Sequence, residues 1–241
     1  MKKIAILWVL LLFCQLLPAQ TRHDLEQTPT ILLYDSIAKK DSLSFTAITK
    51  KQFLNFKAKQ KNILQAGNVI TKDTDSTFTF KTKRAHYKLL QSAQYSGTYA
   101  YNGYLPLLRS HLISFCGEGT CQAYLLDNET DVKMAVPASF DAGVIDITAS
   151  PSGSFVLVYS SYDGPDYKDF YSHRAEFIVY KMIKGKGLKG LTHYYTLETP
   201  NWSVKEIVWI NNNAIALKIY EGQSPADNAE SGYSYIKTVI K

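Results

Sequence analysis

Cysteine is scarce in this chain, with three among 241 residues, at positions 14, 116 and 121. A thiolate-based zinc centre is thereby excluded, because Cys116 and Cys121 would need two further ligands and only His111 stands nearby. Long apolar runs are scarce too. The stretch Ile4–Ala19 covers sixteen residues and is interrupted by Gln15 and Pro18, against about 20 required to cross a bilayer. Catalytic signatures are missing: there is no G-x-S-x-G elbow and no H-E-x-x-H, and the five histidines stand singly at 23, 86, 111, 173 and 193. No clean repeat recurs at a fixed period, which argues against a regular propeller or solenoid.

What is present begins with an export signal. Lys2 and Lys3 form a basic start, Ile4–Phe13 an apolar stretch, and Leu16-Leu17-Pro18-Ala19 a small-residue exit, so residues 1–20 read as a signal peptide cleaved after Ala19 or Gln20. Lipid attachment at Cys14 is not expected, because the bulky Phe13 occupies the position where that processing needs a small residue. The mature chain then keeps Cys116 and Cys121, an even pair in an oxidising compartment, which reads as a disulfide. Between them lies Gly117-Glu118-Gly119-Thr120, expected to be a four-residue hairpin loop with the cysteines facing each other. The spacing is not C-x-x-C and no helix follows, which argues against a redox role.

Net charge is +6, falling to +4 once Lys2 and Lys3 are removed. Its distribution is uneven: residues 36–90 carry twelve Lys or Arg against three Asp, and residues 91–241 twelve against fifteen acids. Export makes nucleic acid an unsuitable partner for the basic segment, leaving a solvated helix face or an anionic lipid or acidic partner.

Residues 21–75 read as an N-terminal arm with short strands at 31–34 and 44–48 and an amphipathic helix over 49–66. Thr49 with Gln52 makes a capping box, Ile48 with Phe53 a hydrophobic staple, and Gly67 the stop; Phe53, Phe56, Gln60, Ile63 and Leu64 share the inward face. From residue 76 to 241 the period changes to short alternating runs rich in Tyr, Phe, Val and Ile, separated by S-P-S-G, G-K-G and N-N-N. Such spacing predicts an antiparallel all-β domain. Ile147-Thr148-Ala149-Ser150-Pro151-Ser152-Gly153-Ser154-Phe155-Val156-Leu157 resembles the S-P-D-G element of bacterial propeller repeats, with Ser152 in place of Asp. Those repeats occur in the periplasmic propellers of the Tol system and beside prolyl-oligopeptidase-type hydrolases. Ala123–Thr130 is similar to their y-l-i-D-x-x-T-G hairpin, with Asp131 in place of Gly. Residues 101–113, the C-x4-C hairpin and 209–218 together resemble uncharacterised exported bacterial proteins. The resemblance implies a partial or irregular propeller-like stack of β-meanders, with a β-sandwich as the alternative.

Gly185–Gly190 spells G-x-G-x-x-G, but the strand-like L-T-H-Y-Y-T-L that follows makes it a basic hairpin turn and not a dinucleotide site. The long loop 160–174 is the candidate binding element. It carries Tyr162, Asp163, Asp166, Tyr167, Asp169, Tyr171 and His173, more chemistry than a hairpin connection needs. Its aspartates lack EF-hand spacing, so no metal or cofactor is expected there. The functional expectation is a non-enzymatic protein of the periplasm or extracellular side of a Gram-negative envelope, binding a protein or glycan partner through this loop. Two alternatives stand beside it: a hydrolase whose catalytic group assembles from distant residues, and a structural or accessory subunit of an envelope complex.

Overall fold

Short runs rich in apolar and aromatic residues form most of the strands, and two of these runs, Phe155–Ser161 and Ala175–Met182, bury such residues on both faces. In chain order the strands are β1 (Gln20–Arg22), β2 (Thr30–Ile31), β3 (Thr46–Ala47), β4 (Thr71–Asp73), β5 (Thr77–Lys81) and β6 (Ala85–Leu90). There follow β7 (Thr98–Leu105), β8 (Ser110–Gly117), β9 (Thr120–Asp127), β10 (Lys133–Val136), β11 (Asp146–Ala149) and β12 (Phe155–Ser161). The last are β13 (Ala175–Met182), β14 (Leu191–Thr199), β15 (Ser203–Asn211), β16 (Ala214–Tyr220) and β17 (Ser234–Val239). Among the described residues one α-helix, α1 (Lys50–Lys59), interrupts them. This computed structural model describes residues 20–22, 25, 28–31, 43–63, 65, 71–73, 77–90, 97–164, 168, 170–225 and 231–240. Residues 1–19, among them Cys14 and most of the expected signal peptide 1–20, and Gly67 lie outside the described residues.

The described chain is therefore mostly β, as the sequence predicts. Its strands form four sheets, in the orders β1-β6-β5-β4, β2-β10-β9-β8-β7, β11-β12-β13-β14 and β15-β16-β17-β3. Consecutive strands within each meander pair antiparallel. The arm supplies an edge strand to three sheets: β1 runs parallel to β6, β2 parallel to β10, and β3 antiparallel to β17.

Each sheet buries its apolar faces against the next. Phe78, Phe80, Tyr87 and Leu89 of the first meet Ile113 and Leu126 of the second. The other face of the second sheet, with Leu112 and Leu125, packs on Val156, Val158, Ile178 and Tyr180 of the third. The third sheet's opposite face, Leu157, Tyr159, Phe177 and Val179, packs on Ile207, Trp209, Ile215 and Leu217 of the fourth. Period-2 alternation makes this possible, because successive side chains of β12 and β13 go to opposite sheets. No cluster joins the first sheet to the fourth among the described residues, so no closed propeller forms.

The outer face of the fourth sheet is covered by α1, whose Phe53 and Phe56 pack with Ile48 on Val208, Ala216, Ile210 and Tyr235. Its capping box is present as expected: the Thr49 hydroxyl accepts from Gln52 N–H, and the Gln52 side chain accepts from Thr49 N–H at 2.8 Å. The predicted span 49–66 is too long, however, because the helix stops at Lys59 with Gln60 extended. Tertiary hydrogen bonds take Gln60 out of the helix: its Oε1 accepts from Trp209 N–H at 3.0 Å and its Nε2 donates to Thr148 Oγ1 at 3.2 Å. Beyond it the chain crosses to the second sheet, where Ile63 joins the second–third interface and Gln65 exchanges two backbone hydrogen bonds with Tyr104.

Candidate functional site

Loop 160–174 leaves β12 and returns into β13 at one end of the third sheet. Its base is fixed by Arg174, a buried residue whose guanidinium donates to Ser203 Oγ at 3.0 Å, to the Gly164 carbonyl at 2.8 Å and to the Gly222 carbonyl. Tyr162 N–H donates to Arg174 O at 2.8 Å, closing the two stems. Within this frame Tyr162, Tyr171 and His173 gather on one ring, Phe140, at centroid distances of 6.5, 5.0 and 5.3 Å. Phe170 is 73% exposed, and Asp163 is exposed as well. Asp166, Tyr167 and Asp169 lie outside the described residues.

His173 is turned into the interior and not presented at the surface. Its Nδ1 lies 3.0 Å from Ser172 Oγ and 4.0 Å from Glu198 Oε2. A nucleophilic relay places serine and acid on opposite ring nitrogens. Here both approach the same nitrogen, so Ser172, His173 and Glu198 are not arranged as a relay. Glu176 completes a different group: its carboxylate, that of Glu198 and a His173 nitrogen all lie within 4.8 Å of one another. Glu176 and Glu198 are direct cross-strand partners on β13 and β14, which is why their side chains converge. Their donor set is one that a divalent ion accepts.

A cleft of about 340 Å³ is lined in part by the segment that follows Phe140 and Asp141 in the chain. One wall is the end of the second sheet, with Asn102, Ser114 and Gln122; the other runs from Ala142 in the β10–β11 connection to Ile147 at the start of β11. That connection is the wall common to cleft and aromatic cluster, since Phe140 carries the tyrosines while Asp141 N–H donates to Tyr171 Oη at 3.4 Å. It is also clamped to the disulfide hairpin. Cys121 N–H donates to Asp141 O at 2.7 Å, and Gly143, at φ +77°, lies so close that a Cβ there would sit 2.8 Å from Cys121 O. Burial pushes the Asp146 carboxyl above the ordinary carboxylate range, against the pull of the Ile147 N–H that its Oδ1 accepts.

Cys116 and Cys121 are bonded, as expected, with Cα atoms 4.0 Å apart. The loop between them is shorter than predicted. Gly117 and Thr120 still pair, so Glu118 and Gly119 alone make the turn, both at positive φ (52° and 82°), the conformation of a two-residue hairpin. The Gly187–Gly190 motif forms a 3-10 turn between β13 and β14, in accord with its reading as a connection. Asp131, which stands where the propeller-type hairpin has glycine, takes φ +60°. Asp tolerates this left-handed conformation better than most residues.

Sequence reasoning missed Glu176, Glu198, Asp146 and the cleft polar groups. For Glu176 a signal existed: alternation in A-E-F-I-V-Y puts it on the same face as Ile178 and Tyr180, a carboxylate at a core position. No protein-family model, curated protein or solved structure matches this chain. No helix among the described residues is long and apolar enough to cross a membrane.

Proposed function

We propose that this chain is an exported envelope protein, not an enzyme, that binds a protein or glycan partner through loop 160–174. The four meanders, packed face to face in chain order, are read as an open, irregular propeller-like stack. The observation that carries the binding reading is the shared wall: residues 140–147 join the aromatic cluster of Tyr162, Tyr171 and Phe140 to the neighbouring cleft. Of the two partner classes, a glycan fits better. Asn102, Ser114, Gln122 and Asp146 offer amide, hydroxyl and carboxyl groups to sugar hydroxyls, while Tyr162 and Tyr171, gathered on Phe140, offer ring faces to sugars. The disulfide suits an oxidising compartment and holds the wall in place.

The test is retention of the purified protein on immobilised envelope glycan. Replacing Phe170 and Tyr171 together with alanine should abolish retention, with the melting temperature nearly unchanged by the loss of the exposed Phe170. Retention equal to that of the unmodified protein would overturn the reading.

A further inference from the structure

The side of α1 turned away from Phe53 and Phe56 faces solvent and carries one sign of charge. Lys50, Lys51, Lys57 and Lys59 are exposed, Lys61 follows just beyond the helix, and K-K-Q-F-L-N-F-K-A-K contains no acid. The strands beneath extend the pattern. Lys218 on β16 and Lys237 on β17, the latter on the face of Tyr235, lie on the helix side, and the charge of Lys205 acts on Lys218. Glu206 supplies a counter-charge and is taken by Lys57 at 2.7 Å. Burial lowers the Lys218 ammonium from its ordinary range; Glu206 opposes this, and Lys205, Lys57 and Lys50 add to it. Such crowding shows that these ammonium groups share one field.

Two further features narrow the partner. Leu54, 49% exposed, forms a ridge with Ala58 at i, i+4 spacing. At 3.6 residues per turn, Lys50 and Lys57 flank that ridge on one side and Lys51 and Lys59 on the other. Every cation named on this face is a lysine. Arginine offers a fixed fork suited to one carboxylate or phosphate in a set position, whereas lysine is a mobile point charge on an apolar stem. Lysines on both flanks of an apolar ridge match a fluid array of phosphates over hydrocarbon.

We propose that this face docks on an anionic lipid surface, with α1 lying flat among the headgroups, Leu54 entering the acyl boundary and the lysines engaging phosphates. It is independent of loop 160–174, which belongs to the third sheet, while α1 covers the outer face of the fourth.

Sedimentation with vesicles decides it, using phosphatidylcholine alone and phosphatidylcholine mixed with phosphatidylglycerol. The full mature chain should sediment with the mixed vesicles, not with phosphatidylcholine alone, and should be released by salt. Replacing Lys50, Lys51, Lys59 and Lys61 with glutamine should weaken partitioning by about fivefold per lysine, roughly several hundred-fold in all. Lys57 is left in place to keep its bond with Glu206. Leu54→Ser, with charge unaltered, should weaken it several-fold. Failure to sediment with the mixed vesicles overturns the proposal. So does a Leu54→Ser protein that binds as well as the unmodified chain, which would make the face a purely coulombic site for an acidic protein. Should the quadruple variant fail to fold, the salt titration and Leu54→Ser still decide.

Discussion

His111 lies under a roof of rings, with centroids of Phe80 at 4.9 Å and Tyr104 at 5.0 Å. The Tyr101 hydroxyl is 3.0 Å from its Nδ1 and Asn128 Oδ1 is 3.2 Å from its Nε2. A hydroxyl donating to one nitrogen and an amide oxygen accepting from the other suit a neutral imidazole with the proton on Nε2. Burial accordingly lowers its pKa. The sign of the linkage follows: the unfolded chain takes up this proton near pH 6.5 and the folded chain only at lower pH, so the unfolded state binds more protons between the two. Stability is full above about pH 6.5 and falls as pH drops from there toward the folded value. His193, also lowered by burial, acts in the same direction. Denaturant unfolding at a series of pH values should show a shallower decline for His111→Gln than for the unmodified protein. Equal slopes would mean that the imidazole takes up its proton at the same pH in the folded and unfolded chains.

At the scale of elements, the Cys116–Cys121 hairpin is a clamp as much as a staple, because the cleft wall hangs on Cys121 N–H and on the Gly143 contact. Thiol labelling of the unfolded, unreduced protein should leave Cys116 and Cys121 unmodified; quantitative labelling of both would sink this. Reduction should cost about 2 kcal/mol, the loop closed being short. The helix start was legible in the sequence because a capping box is local, written in residues three apart. Its end was not, because the hydrogen bonds that pull Gln60 out join it to residues 88 and 149 positions away. The aromatic side of the candidate site was similarly legible, as Tyr162 and Tyr171 sit on one loop. The cleft was invisible, since its walls come from β7, β8, β9 and the segment before β11. The hairpin's true size escaped for another reason: Glu118 adopts a positive φ that turn chemistry ordinarily assigns to Gly or Asn.

Across the whole molecule, packing is between neighbours in a row, so the second and third sheets are each covered by a sheet on both faces while the first has one such neighbour among the described residues. Stability in such a stack is distributed unevenly, as in other linear arrays. Amide hydrogen exchange should be slowest in β12 and β13 and faster in β5 and β6 of the first sheet. Comparable protection in both sheets would show that the stack opens as a single unit.

The threaded arm has a kinetic consequence. β3, near the start of the chain, pairs with β17 near its end, and Thr238 Oγ1 donates to Ser44 O across 194 positions. Contacts of such sequence separation form late, because the entropy of closing the loop must be met before they return anything. The fourth sheet therefore cannot be completed until β17 has been made, so β3 waits for its partner while the first three sheets, whose strands all come earlier in the chain, can already close.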